Sequence, residues 1–182
     1  MRSNCLPCIF LPCILLVLCC AACDRPYYPP PPQRTLGKHT VAMLLDLTGG
    51  CPPEAWGAIV SGIHSTYDPR ADWRWAGEQS TFTYQLDDYT GWNLAAHLTA
   101  AQAVLDKTGP QTVTFEVNGR PVGAATLGTS RRYDLTFPVT PDLLRSAVPV
   151  TVRMTAAPCV PADTGPPFCV LLHSIGFARE PR

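Results

Sequence analysis

Residues 112–119 read Thr112-Val113-Thr114-Phe115-Glu116-Val117-Asn118-Gly119. Polar and apolar residues alternate for six positions, which is the two-residue period of a half-buried strand. Asn-Gly then follows. A two-residue hairpin turn that matches the right-handed strand twist needs positive φ at both central positions, and Asn-Gly supplies it. The same period recurs outward from this point. It runs over 81–86, 133–137 and 149–155, where Val150, Val152 and Met154 share one face, and 171–177 closes the series. Earlier strands are expected over 41–47, 56–63, 72–75 and 93–99. Only 140–145 looks helical, a single turn with Thr140 as cap and Pro141 at its first position. Eight or nine short strands separated by turn residues predict an all-β fold, a single β-sandwich of jelly-roll type.

Composition agrees with a folded domain. The chain has 182 residues, 46 % of them hydrophobic and 15 % charged, which excludes a disordered charged tail. Fourteen basic residues balance fourteen acidic ones, so no electrostatic footprint for nucleic acid is present.

The amino terminus is different in kind. Six of the nine cysteines lie in the first 23 residues, beside one charge, Arg2. The apolar run 9–18 is half the roughly 20 residues that a membrane-spanning helix needs. Arg2, a short apolar stretch and Ala21-Ala22 before Cys23 form a signal-peptide pattern. Leu18-Cys19-Cys20-Ala21-Ala22-Cys23 resembles a bacterial lipobox, in which the chain is cut before the cysteine and its thiol carries diacylglycerol. The alternatives are an ordinary secretory signal cut at Ala22 or an uncleaved anchor. Cys23 is thus the expected lipidation site, and several acyl chains give stable anchoring at about 0.8 kcal/mol per buried methylene. Pro29-Pro30-Pro31-Pro32 favours a stiff polyproline spacer. The expected organisation is a signal peptide over 1–22, a lipidated cysteine and Pro-rich linker over 23–37, and a β-sandwich over 38–182. Asp24 leans toward inner-membrane retention within a bacterial envelope.

Several motifs in order resemble a known module. They are Tyr67…Trp73-Arg74-Trp75, Gly109-Pro110…Val113…Val117-Asn118-Gly119, Tyr133…Phe137-Pro138-Val139 and Ser174-Ile175-Gly176-Phe177. Together they resemble a bacterial β-sandwich module found alone in envelope proteins or fused to glycosyltransferases, over roughly 56–179. Residues 163–170 stand where that family has an Asp-Arg-x-Leu-Gly stretch. The resemblance implies a carbohydrate-binding-like architecture.

Cys159 and Cys169 bracket that divergent loop, and a hairpin-closing disulfide between them is expected in an oxidising compartment. Such a ring contributes about 2–3 kcal/mol in the chain-entropy view. Cys51 is then left over, and pairing of Cys51 with either of the other two remains an alternative. His39, His64, His97 and His173 show no ligand-type spacing, so neither metal nor cofactor is expected. No Gly-x-Ser-x-Gly elbow and no His-Glu-x-x-His helix occur. Asp68, Asp72, Glu78, Asp87 and Asp88 could supply a glycosidase pair, but acidic turn residues are the simpler account. His173 reads as a structural histidine, and no catalytic residues are expected.

Aromatic residues are the best binding candidates. Trp73 and Trp75 share one face of a strand, which points to core packing, with a sugar-stacking platform as the alternative. Trp92 sits at a turn, so Trp92 and Tyr89 are expected to form an exposed ligand-binding pair. The expected function is a non-catalytic membrane-anchored module for envelope glycan. The alternatives are an assembly lipoprotein that binds another envelope protein and, more remotely, a hydrolase.

Overall fold

The computed structural model describes residues 41–47, 57–65 and 70–179. These belong to one compact unit, Lys38–Arg182. The expected signal segment, Cys23, Asp24, the Pro-rich linker and Cys51 lie outside the described residues.

Among the described residues nine strands form one antiparallel sheet. They are β1 Val41–Asp46, β2 Gly57–Ile63, β3 Arg74–Tyr84, β4 Asn93–Thr99, β5 Gln111–Val117, β6 Arg120–Leu127, β7 Arg132–Pro138, β8 Val150–Ala157 and β9 Val170–Arg179. Among the described residues two short helices join them, α1 Gln102–Thr108 and α2 Pro141–Arg145. The order is β6-β5-β8-β3-β9-β4-β7, with β1 added to β9 and β2 added to β3. The sheet curls because β3 belongs to both halves. Its first residues, Arg74 to Ala76, pair with β9, and Gln79 to Tyr84 pair with β8. The free edges of β6 and β7 come together where a side chain at Gly123 would strike the Phe137 ring, 2.1 Å from its nearest carbon. The result is a single all-β sandwich, as the alternating pattern predicts, and it is nearly closed into a barrel.

Alternation builds the core. Gln111, Val113, Phe115 and Val117 of β5 are buried, as are Val150, Val152, Met154 and Ala156 of β8. Tyr84 packs edge-on against Phe177 at 5.2 Å and donates its hydroxyl to the Ile175 carbonyl at 2.7 Å. Each fully buried side chain of this size is worth about 1.5–3 kcal/mol.

The Asn-Gly turn is as expected, with φ of 49° at Asn118 and 75° at Gly119. Asn118 also works at longer range. Its side-chain oxygen accepts from Thr151 N, its backbone N–H donates to Thr151 O, and its amide donates to Leu143 O, each at 2.8 Å. One residue therefore ties the hairpin to β8 and to α2. Helix α2 starts as read, with Pro141 in its first turn and Thr140 Oγ1 accepting from Leu143 N. Helix α1 corrects the expectation of a single helical turn. Ala101 precedes it without a side-chain cap, so the start has no sequence signature. Its end has one, since Gly109 adopts φ 74° and donates to Leu105 O.

Cys159 and Cys169 are disulfide-bonded, with Cα atoms 4.5 Å apart, and the Val160–Phe168 bridge zips the loop just inside them. The hairpin-closing pairing is the one present.

Two glycines give a direct test of backbone constraint. Gly62, at an irregularity in the β2–β3 register, has φ +83°, and a Cβ there would lie 2.0 Å from the Gln79 carbonyl oxygen. Gly119 has a similar φ with open space around it. Gly119→Ala should cost about 1–2 kcal/mol from left-handed strain alone. Gly62→Ala should cost at least about 3 kcal/mol, because overpacking adds to the same strain. Urea unfolding of both variants checks the ordering, and equal losses would contradict it.

Candidate functional site

One strand irregularity organises the outer face of the sheet. In β9 the core positions are Val170 and Leu172, then Ile175 and Phe177. The step lengthens by one residue between Leu172 and Ile175. On β4, Leu98 faces Leu172 while His97 faces Ser174, so His173 has no partner across that ladder. This is a β-bulge, a device that re-aims side chains. His173 and Ser174 both line the same surface cleft.

Register then assembles a polar row. Asp46 of β1 stands opposite Ser174, Ser174 opposite His97, and His97 opposite Asp134 of β7. A neighbouring row runs Trp75, Leu171, Thr99, Arg132. Side-chain bonds knit the two. Asp134 Oδ1 lies 2.6 Å from His97 Nδ1 and 3.5 Å from Arg132 Nε. His173 is only 8 % exposed, and both of its ring nitrogens are used. Nδ1 donates to the Asp72 carbonyl at 2.7 Å, because a carbonyl can only accept. Nε2 lies 2.9 Å from Thr99 Oγ1, which donates to it when the ring is neutral. The Asp72 carboxylate comes within 3.4 Å of Nδ1. His173 is thus a satisfied structural histidine, as its sequence setting suggests. Leu44, Asp46, Asp72, Arg132, His173 and Ser174 enclose an open cleft of about 450 Å³.

A second feature is an aromatic arm. Trp73 and Trp75 meet edge-to-face at 6.0 Å, Trp75 meets Phe168 at 5.1 Å, and Phe168 stacks on His64 at 4.6 Å. All four residues are half-buried. The disulfide loop delivers Phe168, and Arg74 fixes the His64 strand end by donating to the His64 carbonyl at 2.6 Å.

These positions revise two expectations. Trp92 is not exposed. It is 3 % accessible, donates its ring N–H to Asp88 O at 3.0 Å and lies under the Arg179 guanidinium at 4.3 Å. Arg179 also grips the Asp88 carboxylate at 2.6 and 2.8 Å, so the 88–92 turn is locked. Tyr89 is half-buried against the core with Arg145 5.7 Å above its ring. Tyr89 and Trp92 therefore do not form an exposed pair. Trp73 and Trp75, favoured as core residues, are only half-buried. Strand parity explains both reversals. Trp92 continues the inward series Leu94, Ala96, Leu98, whereas Trp73 and Trp75 have the parity opposite to inward Ala76, Phe82 and Tyr84.

Among the acidic residues raised as a catalytic pair, Asp72 borders the cleft, Asp88 serves the turn lock, and Asp68 lies outside the described residues. His97 with Asp134 has the form of a base with its orienting carboxylate. Among the described residues, however, no hydrogen bond joins His97 to the facing Ser174. No group of three His, Cys, Asp or Glu residues among them is placed to hold a metal ion. No described helix is long and apolar enough to cross a membrane.

No family model matches the chain, and no curated protein matches it. A similar solved structure is the crystal structure of dimeric latent PorU from Porphyromonas gingivalis, at 13 % identity and a TM-score of 0.37. The match covers 75 % of this chain and 14 % of that one, so this chain spans a small part of that protein's length. A likeness at that level carries no argument about fold or activity.

Two outcomes follow from the site geometry. Trp92→Ala should lose about 3–5 kcal/mol of stability, the usual cost of deleting a buried aromatic. Trp73→Ala should lose clearly less, and thermal and urea midpoints compare the two. The second concerns titration. The hydrogen bond from His97, helped by its charge and by Arg132, holds the Asp134 carboxyl below its ordinary value of 3.8. Its small stabilising contribution is therefore present above that value and is lost as pH falls through the lower folded one. In His97→Ala, the Asp134 midpoint followed by carboxyl-carbon NMR should rise toward 3.8.

Proposed function

We propose that the chain is a membrane-anchored extracytoplasmic lipoprotein whose β-sandwich is a non-catalytic binding module for envelope glycan. The observation that carries the binding reading is the aromatic arm. Trp75 meets both Trp73 and Phe168 edge-on, and all three rings are only half-buried. Sugar rings present apolar C–H faces and polar hydroxyl rims, so a site that binds them joins aromatic surface to a few fixed polar groups. Outward-facing tryptophan costs apolar exposure that a purely structural role would bury. The resemblance to envelope β-sandwich modules supports the same reading.

The anchoring reading rests on the sequence. A short apolar stretch, Ala21-Ala22 and Cys23 supply a lipobox-like signal, and Pro29 to Pro32 supply a stiff spacer beyond it.

Two measurements test the parts separately. Cys23→Ser should abolish incorporation of labelled fatty acid and release the protein from membranes. A Cys23→Ser protein that stays membrane-bound and labelled would overturn the anchor. Retention of the full-length protein on purified envelope polysaccharide should fall at least tenfold in Trp75→Ala, for stacking losses of about 1.5 kcal/mol or more. If the intact chain binds no polysaccharide and instead captures one envelope protein, the assembly reading replaces the glycan reading.

A further inference from the structure

We infer that the aromatic arm takes a single dissolved glycan chain, and not the flat face of an ordered polysaccharide. The inference rests on the glycan reading and narrows the ligand to a physical form. The angles between the rings carry it. Trp73 and Trp75 stand at 75° to one another, and Trp75 and Phe168 at 65°. Phe168 and His64 are close to parallel, at 11°. The four rings thus form a folded series, with Trp75 between Trp73 and Phe168, and Phe168 between Trp75 and His64.

An ordered polysaccharide presents its sugar C–H faces in one plane. Several rings can stack on that plane together only if they are close to coplanar, because a gap of roughly 1 Å already forfeits up to half of a dispersion contact. A plane laid flat on Trp73 meets Trp75 nearly edge-on, and a plane laid flat on Trp75 meets both of its neighbours steeply. Against such a surface one ring stacks and the others hold it off. Phe168 and His64 lie face to face, so the face that each turns to the other is already used. A chain in solution meets no such restriction. Rotation about its glycosidic bonds lets one sugar lie on Trp73 while the next turns to Trp75.

Backbone and ring contacts hold the folded shape. Trp75 is paired with Leu171 of β9, and its carbonyl accepts from His64 N at 3.0 Å. Phe168 is fixed by the neighbouring Cys169 disulfide and by two backbone bonds to Val160, at 2.9 and 2.8 Å. Arg74 holds the His64 carbonyl at 2.6 Å. Turning Trp75 into the plane of Trp73 would break the edge-on contact between them, one of the preferred arrangements of aromatic pairs. The arm is therefore set for its ligand before the ligand arrives, which lowers the ordering cost of binding.

The test uses the full-length chain in detergent. Native electrophoresis through gels that contain soluble envelope polysaccharide, hydroxyethyl cellulose or glycol chitin measures binding to dissolved chains. Pull-down on microcrystalline cellulose and crystalline chitin measures binding to ordered surfaces. At least one dissolved polymer should retard the protein, and Trp73→Ala and Trp75→Ala should each weaken that binding about tenfold or more. Trp73→Phe, which keeps a smaller ring in place, should recover part of it, which separates a lost contact from a folding defect. Single sugars from the same polymer should bind about tenfold or more weakly than fragments of several sugars, because a linked second contact forms at high effective concentration. Crystalline cellulose and chitin should retain no more of the protein than of the Trp73→Ala, Trp75→Ala double variant. Retention on either crystalline surface that the double variant loses would overturn the inference and leave the glycan reading standing. Equal binding of single sugars and longer fragments would do the same. Retardation that neither alanine variant weakens would overturn the assignment to the arm. Absence of binding to every saccharide, dissolved or ordered, would overturn the glycan reading and this inference together.

Discussion

Between Leu172 and Ile175 the central strand β9 carries an extra residue, and much of the molecule is arranged around it. β9 is bonded to β4 along one edge and to β3 and then β1 along the other. A strand with three neighbours cannot slide without breaking all of them. The bulge absorbs one residue so that Val170 and Leu172 before it, and Ile175 and Phe177 after it, all reach the core. The same shift leaves two consecutive polar residues, His173 and Ser174, at the cleft on the outer face. Core packing and surface chemistry are thus set by one local departure from regular pairing.

His173 shows how the departure is stabilised. A buried imidazole with an unmet nitrogen would cost about 1–3 kcal/mol. Here one nitrogen binds the Asp72 carbonyl and the other binds Thr99. Those partners come from the approach to β3 and from β4, the strands that flank this part of β9. The ring therefore acts as a clamp across three consecutive sheet positions, and the cleft opens beside it.

Much of the fold could be read in the sequence, because half-buried strands write their burial as alternation. The 112–117 run, the Asn-Gly turn and the Thr140-Pro141 helix start follow from local chemistry, and the 159–169 disulfide is the expected one of three pairings that the cysteines allow. The misread features depend on information that is not local. Trp92 reads as a loop residue because it sits among Asp88, Thr90 and Gly91, yet its parity with Leu94 places it inside. Trp73 and Trp75 carry the largest apolar side chains, but the inward parity fixed by Phe82 and Tyr84 turns them outward. Helix α1 lacks a side-chain cap at its start. The cleft could not be read at all, since Asp46, Asp72, Arg132 and Ser174 meet only through the pairing of β1, β9, β4 and β7 and the approach to β3. The order of the strands in space has no signature in their separate patterns.

The loop closed by Cys159 and Cys169 has one further consequence. Its two ends are joined covalently and by the Val160–Phe168 bridge, so the segment between them is insulated from the strands that bear it. Insertions or replacements within 161–165 need not propagate into β8 or β9. Pro166 is the limit of that freedom, because it packs where a side chain at Gly77 would lie 2.7 Å from its Cβ. The hairpin is therefore a modular appendage, a place where sequence can diverge quickly while the sheet beneath it stays constant.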